Sequence, residues 1–184
     1  MPSRNDWIAA GLAALADGGE RAVRIDPLAA ALGVTKGSFH HHFRGAGDLR
    51  RGVLEAHEGA QLELVATVTA ETGELEASAA IAQLGTLIAH LPEDGLERAV
   101  RAWAATDAEA AAVQQRIDAA RLEALEALWR QAVPEPHART AALVPLLAMI
   151  GASASTVATR ADLEAVLTML AGLAPHVPQV VAEG

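Results

Sequence analysis

The chain of 184 residues has no cysteine and no tyrosine, and its aromatic content is only 3%. Without thiols there is no disulfide framework, no thiolate nucleophile and no cysteine-ligated metal. β-Branched runs are scarce, while Ala and Leu dominate a composition that is 52% hydrophobic, so the expected class is all-α with ample material for a core. The N-terminus, MPSRNDW, lacks the regions of a signal peptide, and the apolar stretches read as too short or too interrupted for a membrane span. A cytoplasmic protein with no membrane partner is the expectation. Marks of catalysis are also missing: there is no glycine-rich loop after a strand and no serine in a nucleophile motif, and the carboxylates lie along solvated helix faces. Neither an enzyme nor a cofactor is expected.

Basic residues are few, and the net charge is −9. Residues 1–51 hold seven Lys+Arg against five Asp+Glu, a balance of +2, and residues 52–184 hold seven against eighteen, a balance of −11. Such an acidic body repels a polyanion from everything except the mildly basic head.

The stretch present from Arg24 to Leu49, RIDPLAAALGVTKGSFHHHFRGAGDL, organises the rest. Asp26 suits a helix N-cap and Pro27 the first helical position. Leu28, Ala29 and Leu32 make an apolar face, and Gly33 ends the helix where a left-handed residue is wanted. Thr35 can cap a second helix in which Phe39 and Phe43, four apart, share a side. Two short helices crossing at small residues read as a helix-turn-helix, whose second helix lies in the DNA major groove.

These residues resemble the signature of the TetR/AcrR family of transcriptional regulators, "ia..aGvs.gt.Y.hF.sKedL", matched here by LAAALGVTKGSFHHHFRGAGDL at 28–49. The likeness reaches back through a first helix, WIAAGLAALADGG at 7–19, and so covers about the first quarter of the chain. It departs at His40, where the family has tyrosine, and at Ala46, where it has lysine; both positions commonly touch DNA phosphate in the family. The resemblance implies a three-helix DNA-binding domain over residues 1–50 and a helical effector-binding and dimerisation domain over 51–184.

Lys36 and Ser38, in the first turn of the second helix, are expected to face the groove, the lysine donating to guanine or to phosphate. Gly37 lets the helix approach the DNA backbone, with Thr35 mainly as cap. His40 can donate to phosphate in place of the tyrosine. His41 and Arg44 reach a base or the backbone, or are solvated surface, and His42 holds the turn that follows. Successive helical side chains diverge, so the three histidines do not make a metal site.

Around this stretch, Ser3 and Asp6 fit a capping box for the first helix, with Trp7, Ile8, Leu12 and Leu15 as its stripe and Asp17-Gly18-Gly19 as its end. A fourth helix starts near Asp48 and links head to body. Further helices are expected near Glu74–His90, Asp94–Ala105, Asp107–Val133, His137–Ser153 and Ala161–Ala174, with Pro92, Pro134 and Pro136 as breaks and an irregular tail. His57, on the linking helix, reads as a surface or packing residue.

Trp103, with His90, Arg101, Gln114 and Arg121, could line a cavity for a small-molecule effector. Equally, Trp103 could be plain core, and Arg116, Asp118 and Arg121 could form ion pairs along one helix. The last two helices carry wide apolar stripes, with Leu143, Leu146, Leu147 and Ile150 on one and Leu163, Val166, Leu167 and Leu170 on the other. They predict a four-helix homodimer interface, unless one stripe packs inward and only the other meets a partner. The expected function is an operator-binding dimer, a repressor that a small molecule releases from near-palindromic duplex DNA. The alternative is a helical ligand-binding or interaction protein with a degenerate head.

Overall fold

The computed structural model describes residues 2–90 and 95–176, with only the helical backbone of 88–90. The described residues form nine α-helices, joined by turns and two short 3-10 segments, with no strand. The helices are α1 (Arg4–Gly18), α2 (Ile25–Ala31), α3 (Lys36–Phe39), α4 (Ala46–Thr72), α5 (Ala77–His90), α6 (Leu96–Ala104), α7 (Ala108–Trp129), α8 (Glu135–Ala154) and α9 (Arg160–Leu173).

Most boundaries follow local chemistry. Ser3 accepts from the Asp6 amide while the Asp6 carboxylate accepts from the Ser3 amide, so the capping box opens α1 as expected. Those Ser3 hydrogen bonds hold the Asp6 carboxyl below its usual range. Gly19, at φ 70°, closes the helix. A second capping box, Thr159 with Asp162, opens α9 and was not anticipated. The start of α2 differs from expectation. Arg24 is its N-cap, and Asp26 and Pro27 sit inside the first turn, where proline's missing N–H is still no loss. Proline at 134 is the N-cap of α8 and Pro136 lies in its first turn, so α8 starts two residues before the expected His137. Pro92 and most of the tail lie outside the described residues.

The chain divides into two compact units, Met1–Gln61 with Glu93–Ile117, and Leu62–Pro92 with Asp118–Gly184. This division does not coincide with the expected boundary at 50/51, because α4 and α7 each run through both units. In unit 1 the core is Trp7, Leu15, Phe39, Phe43, Leu49, Val53, Val100 and Trp103 with their neighbours. Helices α1 and α4 cross closely there: a Cβ on Gly11 would lie 2.6 Å from Val53 Cγ2. Unit 1 also includes α6 and the first half of α7, anchored by ion pairs from α4. Arg51 meets Glu109 at 2.6 Å, and Arg116 reaches Glu58 at 2.7 Å. Arg50 lies 2.8 Å from Glu20 and 3.4 Å from Asp107, with its guanidinium 4.8 Å above the Trp103 ring. Asp107 caps α7 as expected, accepting from the Glu109 and Ala110 amides at 3.0 Å. The Ala110 amide foremost, then the Trp103 indole, the Glu109 amide and Arg50, keep its carboxyl below the usual range.

Unit 2 is built on the close packing of α5 with α9, where a Cβ on Gly85 would meet Leu167 at 3.2 Å. Ile81, Leu125, Trp129, Ala142, Leu146 and Ala171 form its core. Helix α8 is long and apolar enough to cross a membrane by length and composition, contrary to the sequence expectation. Its Ala138, Ala142, Pro145 and Leu146 are buried within unit 2.

Candidate nucleic-acid interface

The segment after Gly33 is built to hold one face inward. Gly33 adopts φ 66°, the left-handed turn that the sequence predicts. Thr35 takes the N-cap position of α3 in extended conformation, but its hydroxyl makes no capping bond. The helical path continues past Phe39 through the turn bonds of His41, His42 and Phe43, the last an i→i−4 bond of 3.0 Å to Phe39. Phe39 and Phe43 stack at 5.1 Å, and Phe39 meets Trp7 edge-on at 5.3 Å, so both rings anchor this segment to α1. Arg4 sits 4.9 Å over the Phe43 ring and 3.9 Å from Asp48, a cation beside the segment that the sequence reading did not single out. Asp48 also accepts the Arg44 amide at 3.1 Å and fixes the loop into α4.

With the phenylalanines buried, another face is open. Lys36, Gly37, His40, His41 and Arg44 are exposed, as is Thr35 at the start. At about 100° per residue, positions 36, 37, 40, 41 and 44 form one continuous arc, with Phe39 and Phe43 outside it on the Lys36 side. Ser38 does not belong to it. Its side chain is buried at 7% exposure and its hydroxyl lacks a partner among the described residues. The expectation that Ser38 faces the groove is therefore corrected: its burial places it on the inner side, although on a helical wheel it stands between the exposed His41 and the partly buried His42. His42, partly buried, borders the same inner side.

The effector candidates divide between the two units. Trp103 is core of unit 1, 3% exposed. Arg101 pairs with Glu97 one turn away on α6 at 2.8 Å, and Gln114 is buried in the same unit. Arg121 belongs to unit 2, where it lies 3.5 Å from Asp118, as the ion-pair reading has it, whereas Arg116 turns to Glu58 of α4. The His90 side chain lies outside the described residues. His57 was read as a surface or packing residue; it is 1% exposed, a buried polar group in unit 1.

The stripes on α8 and α9 divide. Leu146, Leu163 and Leu167 are buried within the subunit and are corrected out of an exposed interface, since the α5–α9 and α8 packing consumes them. Leu143, Ile150 and Leu170 are half-buried, and Leu147 and Val166 are exposed. Val144, Met169 and Leu173 extend that exposed stripe, with Leu147 and Met169 each 59% accessible. The sequence reading missed these three because it centred each stripe one residue toward the core.

Residues 8–51 match the model of the bacterial regulatory proteins of the tetR family. Among curated proteins no relative matches the chain. Solved structures share the fold over nearly the full length. A transcriptional regulator from a Rhodococcus species is 19% identical with a TM-score of 0.75, covering 96% of this chain and 97% of its own. A TetR-family regulator from Mesorhizobium loti is 20% identical with a TM-score of 0.72, covering 95% of each. A regulator from Saccharomonospora viridis, solved in complex with choline, is 16% identical with a TM-score of 0.68, covering 90% of this chain and 93% of its own. Residues 8–51 are thus a head of the bacterial tetR-family regulatory type, the DNA-binding part of a transcriptional regulator, and the chain as a whole shares its fold with solved regulators.

Proposed function

We propose that the protein is a cytoplasmic homodimeric repressor whose two heads read half-sites in successive major grooves of a near-palindromic operator. The observation that carries this reading is the exposure of Thr35, Lys36, Gly37, His40, His41 and Arg44 on a segment anchored by the buried Phe39 and Phe43. Lys36 serves a base edge or phosphate, and His40 and Arg44 serve the backbone, while His41 sits where it can reach either. Residues 1–50 read DNA, and residues 51–184 carry dimerisation and effector binding. Exposed Val144, Leu147, Val166, Met169 and Leu173 supply the dimer face, because such a stripe is costly in water and its α8–α9 pair makes half of a four-helix interface.

A small-molecule effector releases the operator by binding better when the heads are wrongly spaced. The choline complex of the Saccharomonospora regulator is a precedent for a small ligand on this fold. Within unit 1, Arg101 and Gln114 are the polar residues proposed to meet it, with the buried Trp103 in the same unit; the other two candidates, Arg121 and His90, belong to unit 2. No catalytic step enters this mechanism. A gel shift of the full chain on duplex DNA from upstream of its own gene tests it. A discrete, competitor-resistant complex is expected, and binding no tighter than to random duplex overturns it.

A further inference from the structure

The exposed arc of unit 1 carries little permanent charge. Lys36 and Arg44 are its two fixed cations, and the Asp26 carboxylate of α2, 2.9 Å from the Lys36 ammonium, offsets one of them. Between the two cations, four residues from each, stands His40, with His41 next along the arc. Both histidines are exposed, and the His40 ring meets the buried Phe39 ring edge-on at 5.4 Å, which ties its place to the anchored aromatics. The other charged groups around the segment are engaged elsewhere. Asp48, at the start of α4, accepts the Arg44 amide at 3.1 Å and lies 3.9 Å from Arg4 of α1, whose guanidinium covers the Phe43 ring. Among the described residues no carboxylate pairs with His40 or His41.

Histidine is the side chain that ordinarily changes charge between pH 5 and 8. With both imidazoles neutral, two cations and one anion leave the arc at +1; with both protonated it stands at +3. The titrating charge therefore exceeds the permanent one, on a chain whose net charge is −9. A phosphate beside an imidazole favours the charged form, so a DNA complex holds more protons than the free partners. Linkage then requires affinity to rise as pH falls. Resting on the reading of this arc as the DNA-contacting face, we propose that operator binding is proton-linked. His40 and His41 take up protons as each head meets the phosphates, and acidification from pH 8 to pH 6 tightens the grip. An exposed imidazolium at a phosphate is worth about 3- to 10-fold in affinity, the scale of a charged hydrogen bond in water. With one engaged imidazole in each of two heads, the rise is about 10- to 100-fold.

Fluorescence anisotropy of the full chain on duplex DNA from upstream of its own gene, at pH 8, 7 and 6 and fixed ionic strength, tests this. The parent is expected to tighten by that factor. The double variant His40→Gln/His41→Gln, checked by its melting temperature, is expected to lose most of the pH dependence. Should the double variant bind too weakly to follow, the parent's salt dependence decides. Its log–log slope is expected to be steeper at pH 6 than at pH 8 by about one per head. A discrete complex with a flat pH profile, or with equal salt slopes at the two pH values, overturns the proposal and leaves the DNA-contacting arc standing. Tightening that persists in the double variant also overturns it, because the proton then goes to another histidine. No discrete complex at any pH overturns both readings.

Discussion

The ammonium of Lys36, the only lysine in the chain, lies 2.9 Å from the carboxylate of Asp26 on the preceding helix. Both side chains are well exposed, at 59% and 68%, so water screens the pair and it contributes little to stability. Its consequence is for DNA: the carboxylate competes with phosphate for the one lysine of the reading face. Asp26→Asn is therefore expected to tighten operator binding by about 2- to 5-fold, from the modest worth of an exposed ion pair. Fluorescence anisotropy with a labelled operator duplex measures it, and weaker binding by a folded variant speaks against the competition.

Neighbouring leucines on α8 should separate folding from assembly. Leu146 is 5% exposed and Leu147 is 59% exposed. Leu146→Ala is expected to cost about 2–5 kcal/mol of stability in denaturant unfolding. Leu147→Glu is expected to leave secondary structure intact and shift sedimentation from dimer to monomer. A monomeric parent protein, or a Leu147→Glu dimer as tight as the parent, removes the α8–α9 face from the proposal.

The α4–α7 link carries an acid-sensitive contact. The Arg116 hydrogen bond, with a smaller coulombic contribution from the same guanidinium, holds the Glu58 carboxyl below its ordinary value of 4.5. A depressed folded-state value means that the unfolded chain takes up the proton first. The stability from this pair is complete above pH 4.5 and is lost as pH falls through the lower folded value. Glu58→Gln is expected to flatten this part of the acid limb in melting curves between pH 6 and 3, roughly the window in which carboxylates titrate. An acid limb identical in the variant and the parent rules out the contribution.

The head is packed too closely at one point to accept a methyl group. A Cβ at position 11 would overlap Val53 Cγ2 at 2.6 Å, so Gly11→Ala is expected to destabilise by about 1–3 kcal/mol, as overpacking usually does. Val53→Ala in the same chain should recover part of that loss. Additive losses in the double variant would show that the two sites do not touch.

Local signals were legible wherever one residue's chemistry sets the backbone. The Ser3–Asp6 capping box, the left-handed Gly33 and the Asp107 cap each depend on a few neighbouring residues, and each formed as expected. Ser38 was misread because a small hydroxyl suits both a groove and a crowded core, and its angular position, between His41 and His42, lies at the edge of the two faces. The apolar stripes of α8 and α9 showed that both helices bury a face. They did not show which leucines serve the subunit, because that depends on α5, whose Gly85 admits Leu167. Arg50 carried no motif; its contacts with Glu20, Asp107 and Trp103 join residues far apart in the chain.

The central claim, that the arc around Lys36 grips duplex DNA, is tested most directly by comparing the parent protein with Lys36→Ala on an operator duplex over a range of salt concentrations. Lys36→Ala is expected to melt like the parent, to bind more weakly, and to show a log–log salt slope shallower by about one per subunit. Equal affinity and equal slope in the two proteins would contradict the account.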